Sequence, residues 1–345
     1  WSSDVCSSDL RFRMQKEKVI VVVAGASGTL GKLVCDALVA RGAREGRPVH
    51  VRALVRRKPG QASTAEDRVP EGANVFTVPV DYDNPEELQR ACAEAHAVVS
   101  TLQGLEDVIV GVQSRLLDAA IATGVRRFIP SDFSGDFTKL PEGSHRNFDL
   151  RRRFHRVAEA RTRAAGSAIE LTSIFQGGFT ELLGSGWVLF DYKKQRINYF
   201  GDADAPMEFT TWQNTAEFTA AALLDARSTP RYLFPAGQRA TPREAQAIAR
   251  RVTGAEFALN RVMPTGLLRI VITVMKFLKP GNKDEVMPLW VAMQYGYCGA
   301  LGVMSPDTLD NDRYPDIVWT SIDDTIRTAF VEAGGQPPVR PAADA

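Results

Sequence analysis

Short apolar runs alternate with amphipathic stretches along the first half of the chain. Val19-Ile20-Val21-Val22-Val23-Ala24 is apolar at every position, the pattern of a central parallel strand covered on both faces. After a glycine turn, Leu30, Leu33, Val34, Ala37 and Leu38 recur at helical spacing from about Thr29, and Gly42 stands where that helix would end. The alternation continues with strands at Val49–Val55, Asn74–Pro79, Ala97–Thr101 and Val125–Pro130. Helices fall between them at Pro85–Ala95, opened by the cap Asn84 and Glu87, and at Glu106–Thr123. A polar segment, Gly135–Asp149, leads to a basic helix, Leu150–Ala164, and a sixth strand, Ala168–Ile174. Such repeated strand–helix units predict an α/β fold: a doubly wound parallel sheet with helices on both faces.

Beyond residue 175 the alternation loosens. Arg196–Asp202 reads as a short strand and turn, Asn214 with Glu217 as the start of a helix to Asp225, and Tyr232–Phe234 as a short strand. Thr241-Pro242-Arg243-Glu244 is a capping box for a helix ending at Gly254. Apolar helices follow around Leu267–Phe277 and Val286–Gly296, then a late strand at Tyr314–Trp319 and a last helix from Ser321-Ile322-Asp323-Asp324. The surplus of Leu, Ile, Met, Phe and Trp suits a smaller, mostly helical C-terminal domain closing an apolar substrate pocket. It equally suits a face packed on the sheet or on a second copy of the chain. The expected division is a leader at 1–13, a dinucleotide domain at 14–175, a substrate region at 176–333 that partly returns to the first domain, and a loose tail at 334–345. The leader is polar and aperiodic and ends just before Met14, so it is set aside from the fold.

Composition narrows the function classes. A net charge of +1 gives no bulk electrostatic case for nucleic acid or an anionic membrane. The apolar run Leu267–Leu278 is interrupted by Arg269 and Lys276 and is too short to span a bilayer. The four cysteines, Cys6, Cys35, Cys92 and Cys298, lack metal-ligand spacing; small buried thiols in a reducing cytoplasm are the expectation.

The chemistry concentrates at strand ends. Gly25, Gly28 and Gly31 form G-x-x-G-x-x-G between the first strand and helix. Such glycines permit the turn, let backbone approach a pyrophosphate, and let helix pack close on strand, while the helix N-terminus favours the phosphates. At the tip of the second strand, Arg56-Arg57-Lys58 stands where an acidic residue would select NAD. Cations there suit the 2′-phosphate of NADP. Ser100–Gln103, at the end of the fourth strand, borders the same crevice. The fifth strand breaks into Ser131-Asp132-Phe133-Ser134-Gly135 at its carboxyl end, where active sites collect in such sheets.

Taken together, G-A-S-G-T-L-G at Gly25–Gly31, the Val55-Arg56 tip, R-F-I-P-S-D-F at Arg127–Phe133, F-Q-G-G-F at Phe175–Phe179 and Y-P-D-I-V-W-T-S-I-D-D at Tyr314–Asp324 resemble the NmrA-like and isoflavone-reductase-like group, atypical members of the short-chain dehydrogenase superfamily. The resemblance spans about Val19–Phe330. It implies a Rossmann domain, NADP(H) and an apolar, aromatic or unsaturated substrate. By it, Gly25, Ser27, Gly28, Thr29, Leu30 and Gly31 hold the pyrophosphate and Arg56 meets the 2′-phosphate. Ser100, Thr101 and Gln103 border the ribose and nicotinamide, Pro130, Ser131, Asp132 and Phe133 shape the nicotinamide pocket, and Phe175 and Gln176 lie at the substrate end.

The chain departs from this group in one respect. Its reductases carry a lysine on the helix after the P-S-E/D-F segment; here Arg151 aligns with it and no lysine occurs on that helix. None of the seven tyrosines has a lysine four residues on, so the Y-x-x-x-K pair of ordinary short-chain dehydrogenases is also missing. Arginine stays charged and cannot act as a general base. Lys139, His145 and His155 remain as proton carriers, beside solvent. Two functions follow: an NADPH-dependent reductase, or a non-catalytic NADP(H)-binding redox sensor of NmrA type that reports to a regulatory protein partner.

Overall fold

The computed structural model describes residues 19–57, 72, 74–184 and 189–338 of the 345-residue chain. The expected leader at 1–13, Cys6, Met14, Lys58, Pro59 and the tail beyond 338 lie outside the described residues.

Six parallel strands form the central sheet: β1 (Val19–Ala24), β2 (Val49–Arg56), β3 (Val75–Val80), β4 (Ala97–Ser100), β5 (Arg127–Ile129) and β6 (Glu170–Leu171), in the order β3-β2-β1-β4-β5-β6. From β1 the chain winds outward through β2 and β3, then crosses back to lay β4 on the other side. The connections leaving β1 and β4 therefore diverge, and a crevice opens at their carboxyl ends. Ala24 pairs with Ser100, and Thr101 N–H continues the ladder to Ala24 O at 2.8 Å, so the two strand ends stand level.

The uniformly apolar β1 is buried throughout because each face has its own cover. Val19, Val21 and Val23 join Val34 and Leu38 of α1 (Thr29–Arg44) in one core. Ile20, Val22 and Ala24 join the other core with Leu88 of α2 (Pro85–Cys92), Leu116 and Leu117 of α3 (Gln113–Ala122) and Phe154 of α4 (Arg146–Ala164). Full burial of each such Val or Leu contributes roughly 1.5–3 kcal/mol.

The C-terminal region adds small sheets to the expected helices. Its elements are β7 (Ser173–Ile174), β8 (Gly178–Phe179), β9 (Phe190–Asp191), β10 (Arg196–Phe200), β11 (Met207–Thr210), α5 (Trp212–Leu224), β12 (Tyr232–Leu233), β13 (Gln238–Ala240), α6 (Pro242–Thr253), β14 (Ala258–Met263), α7 (Thr265–Leu278), α8 (Leu289–Ala300) and α9 (Asp323–Glu332). They form sheets ordered β14-β10-β9, β13-β11-β8 and β12-β7. α5 returns to the main sheet beside α1, where Phe218 and Leu223 enter the first core. Arg127, fully buried in β5, explains how that return is anchored. Its guanidinium donates to Ala222 O, to Asp225 O at 3.1 Å and to Arg227 O at 2.9 Å, answering carbonyls in the last turn of α5 and in the chain just beyond it.

Three expectations are corrected. The single strand at Ala168–Ile174 divides at Thr172: β6 pairs with β5, and β7 leaves to pair with β12. Tyr314–Trp319 is not a strand. Tyr314 N–H and Ile317 N–H close successive turns, and the Asn214 side chain, accepting from Thr320 N–H at 2.9 Å and donating to Val318 O at 2.8 Å, takes the place of a partner strand. α4 begins at Arg146, four residues earlier than its basic run suggests, because the His145 ring caps it.

Candidate cofactor and active site

The glycine turn is crowded behind and open in front. A Cβ on Gly31 would stand 2.3 Å from Gly25 O and 2.8 Å from Thr101 Oγ1; one on Gly25, which has φ +82°, would stand 2.9 Å from Thr101 Oγ1. Thr101 itself is fixed, its hydroxyl donating to Ala24 O at 3.0 Å. Gly28, by contrast, is exposed, and the nearest atom to its Cβ position is Gly25 O at 3.4 Å. It occupies the N-cap of α1 and supplies no side-chain cap, so the first N–H groups of the helix have no cap from it. Ser27 and Leu30 are half-buried beside it, Thr29 is exposed, and Gln103 is exposed across the crevice. Ser100 is fully buried, and its hydroxyl has no hydrogen-bond partner.

At the end of β2 the cations part company. Arg57 is ion-paired with Glu87 of α2, whose Oε2 also accepts from Asp81 N–H at 2.9 Å; the carboxylate absent from the local sequence arrives from the next helix. Arg56 is exposed and takes part in none of the described ion pairs. Its guanidinium carbon lies 5.6 Å from the ring centre of Tyr82. Sequence reasoning missed Tyr82. It is buried, and burial pushes its pKa up against the pull of Arg56 and the Gly25 backbone.

Ser131 is a junction. Its hydroxyl donates to Leu102 O at 2.7 Å, its N–H to Gln113 Oε1 at 2.9 Å, and its carbonyl accepts from Arg151 Nε at 3.0 Å. The ends of β4 and β5 and the helix α4 thus meet at one residue. Gln113 reaches it because the helix expected from Glu106 opens as a wide π-turn, Asp107–Val112, before α3 begins. The buried Gln113 was missed; a polar residue on an otherwise apolar helix face was its only signal. Arg151 also donates to Asn147 O at 3.1 Å.

Behind Ser131, Asp132 is fully buried. Its Oδ2 lies 2.6 Å from His155 Nε2 and accepts from Ser173 Oγ at 2.7 Å, while Oδ1 has no partner. Burial alone would raise the carboxyl pKa, but His155, Ser173 and Arg151 together outweigh it and hold it below the usual range. Arg231 NH1 in turn donates to Ser173 Oγ at 2.8 Å. Phe137 covers this cluster, its ring 5.3 Å from that of His155 and 5.1 Å from that of Phe175. Phe133 packs on the first core.

The remaining candidates lie apart from this junction or face inward. Lys139 donates to Ser305 O at 2.9 Å on the exposed side of its turn. Phe175 belongs to an aromatic cluster with Phe137, Phe148 and Tyr232. Gln176 is buried, with Nε2 on Gly177 O and Oε1 unpartnered. His145 is fully buried against Tyr295, 4.0 Å between ring centres. Its Nδ1 accepts from Asn147 N–H and Phe148 N–H, so a neutral ring carries its proton on Nε2, which is unpartnered. Burial, with Arg151 and Arg146 nearby, lowers its pKa to about 3. Among the described residues no group of three or more His, Cys, Asp or Glu could hold a metal, and no helix is long and apolar enough to cross a membrane.

Comparison with known proteins agrees with this architecture. The model of the NmrA-like family matches residues 16–286. Oxidoreductase swnN of Metarhizium robertsii is 26% identical over 268 residues, 69% of this chain and 75% of its own length. Pinoresinol reductase 1 of Arabidopsis thaliana is 25% identical over 325 residues, 90% and 97% of the two chains. The structure of AtPrR2 with NADP+ and (+)pinoresinol superposes with a TM-score of 0.69 at 20% identity, covering 91% of this chain and 99% of that one. The binary complex of leucoanthocyanidin reductase with NADPH from Vitis vinifera does so at 0.66 and 19%, covering 90% and 99%.

Proposed function

We propose that this chain, which belongs to the NmrA-like family, is an NADPH-dependent reductase acting on an apolar, aromatic or unsaturated small molecule. One observation carries the reading: the glycine turn is walled by Thr101 behind Gly25 and Gly31 but open at Gly28, where α1 begins. A dinucleotide pyrophosphate fits that opening, since no side chain intervenes before the helix N–H groups. Ser27, Thr29 and Leu30 would flank it, and Arg56, free of a carboxylate, would take the 2′-phosphate. Ser100, Thr101 and Gln103 would border the nicotinamide half, with the buried Ser100 hydroxyl as a polar contact still without a partner. The names of the relatives, oxidoreductases and NADPH-linked reductases, support the same class.

NADPH, when bound, supplies the hydride. The protein positions and stabilises. Ser131, held from three directions, and Phe133 would fix the floor beside the reacting face. Arg151 stays charged next to Ser131 O and would stabilise negative charge developing on a substrate oxygen. It cannot relay a proton. His155 is engaged by Asp132 and Lys139 by Ser305, whereas His145 keeps a protonated Nε2 without a partner. That proton is not available to a substrate, since the neutral, fully buried ring would be left as an imidazolate, so the proton comes from solvent. Asp132, Phe175 and Gln176 would shape the substrate end.

The sensor reading has one observation in its favour: the position expected of a lysine holds Arg151, already bound to two carbonyls. One experiment separates the two. The protein is titrated with NADPH by fluorescence, and loss of the reduced-nicotinamide absorbance is then followed with quinones, enones and phenylpropenes. Turnover on any of them supports the reductase. Tight NADPH binding with no turnover on the whole panel, unchanged by Arg151→Lys, overturns it in favour of the sensor.

A further inference from the structure

A second cavity, of about 350 Å3, lies against the outer face of α4, with Lys276 of α7 and Trp290 of α8 on its far wall. Its size is at the lower end for small-molecule sites. Four cations line it, Arg146, Arg153, Arg156 and Lys276, against one carboxylate, Asp149. Three of these five charges are answered. Arg153 pairs with Glu106 at 2.6 Å, Arg156 pairs with Glu142, and Asp149 pairs with Arg152 at 2.7 Å. Arg146 and Lys276 take part in none of the described ion pairs.

Arg146 is nevertheless held in place, whereas the exposed Lys276 is tied only to a ring. Arg146 donates through Nε to Asn147 Oδ1 at 3.0 Å and through NH2 to Val286 O at 2.6 Å, which leaves NH1 outside these bonds. Its guanidinium carbon lies 5.2 Å from the Trp290 ring centre, and Lys276 Nζ lies 5.2 Å from the same ring. Trp290 is buried and fixed by its own N–H to Pro280 O at 2.9 Å. Two cations outside the described ion pairs, beside the apolar Leu150, leave room for an anion, with Glu285 the carboxylate that acts on Arg146. Burial lowers the Arg146 pKa from its ordinary value against the smaller pulls of Tyr295 and Glu285.

We propose that this cavity is a carboxylate site, in which Arg146 and Lys276 hold the acid group of an apolar organic acid. A guanidinium and an ammonium on the wall of one cavity can each give a carboxylate a charge-assisted hydrogen bond, stronger than a neutral one. Arg153 links the cavity to the cofactor crevice, because its partner Glu106 follows Gln103 by three residues on the connection leaving β4. As the recognition point for the reductase substrate the site rests on the reductase reading; as a binding site it stands apart from it.

Calorimetric titration of the full chain, saturated with NADP+, tests the assignment with cinnamate and its uncharged methyl ester as probes. Cinnamate is expected to bind about tenfold more tightly than the ester, by an increment that shrinks with added salt. Lys276→Gln and Arg146→Gln are each expected to weaken cinnamate about fivefold and to leave the ester unchanged. Lys276→Gln keeps the test sound if Arg146→Gln disturbs the chain near Val286, since melting temperature is recorded for both. Equal affinity for acid and ester, absence of cinnamate binding, or insensitivity to Lys276→Gln overturns the proposal. So does inorganic phosphate competing as well as cinnamate, which would mean that charge alone is read. NADPH consumption is followed separately in the same mixtures. Acid-selective binding without consumption leaves the carboxylate site standing and removes the reductase; consumption without acid preference does the reverse.

Discussion

His155 Nε2 lies 2.6 Å from Asp132 Oδ2, deep behind Ser131, and Ser173 Oγ reaches the same oxygen at 2.7 Å. One buried carboxylate thereby ties the loop after β5 to α4 and to β7. The loop that carries Ser131 and Phe133 inherits its position from this tie.

Asp132→Ala removes the acceptor shared by His155 Nε2 and Ser173 Oγ, which are left with each other at 3.3 Å. The expected loss of stability is about 2–3 kcal/mol, in the range for leaving buried polar groups short of a partner. Ser173→Ala, which leaves His155 on Asp132 but takes an acceptor from Arg231, is expected to cost about 1–2 kcal/mol. Urea unfolding measures both. A loss below that of Ser173→Ala would show that the carboxylate does not hold the loop.

The glycines of the turn separate into two kinds. Gly31→Ala forces a Cβ to 2.3 Å from Gly25 O and is expected to destabilise the free protein by several kcal/mol, about the scale of overpacking a filled interior. Gly28→Ala has room in the free protein, so its stability should change by less than about 1 kcal/mol. Its NADPH affinity should nonetheless fall at least about tenfold, because the methyl group stands where phosphate must approach. Thermal melts with and without NADPH check both variants. A Gly28→Ala protein that binds NADPH normally would contradict the phosphate assignment.

These contrasts also show what the chain disclosed unaided. Val19–Ala24 and its glycine turn were legible because a strand covered on both faces must be apolar throughout and the turn is contiguous with it. The place of Arg56 at the end of β2 was legible for the same reason of adjacency. Glu87 beside Arg57, Gln113 beside Ser131 and Asn214 beside Val318 were not, since each contact joins residues far apart and depends on how a helix turns. The Tyr314–Trp319 segment reads as a strand because Tyr, Ile, Val and Trp are residues strands favour, yet Tyr314 and Ile317 enter the core beside α5 and, among the described residues, no strand pairs with it. The His145 cap escaped because imidazole is not among the usual capping side chains.

His145 should leave a pH signature. With its pKa lowered to about 3, the folded chain keeps the ring neutral, whereas the unfolded chain protonates it below the ordinary histidine value. The unfolded state then binds the extra proton, so this group favours folding less as pH falls from about 6.5 toward 3, at up to about 1.4 kcal/mol per unit. His145→Asn retains a capping acceptor for α4 and removes the titration. Denaturation between about pH 4.5 and 7 should show the wild-type curve falling more steeply on acidification than that of the variant, the window being set by that lowered pKa. Parallel curves would mean that the ring is not buried neutral.

The most direct measurement of the account as a whole is the affinity of the purified protein for NADPH and NADH, taken side by side for wild type and Arg56→Gln. Arg56 stands uncommitted at the end of β2 while Arg57 is paired with Glu87. Wild type is expected to prefer NADPH by at least about tenfold, and Arg56→Gln to lose most of that preference with little change toward NADH, as follows from losing one charge-assisted phosphate contact. Equal or tighter binding of NADH by wild type, or a preference untouched by Arg56→Gln, would contradict it.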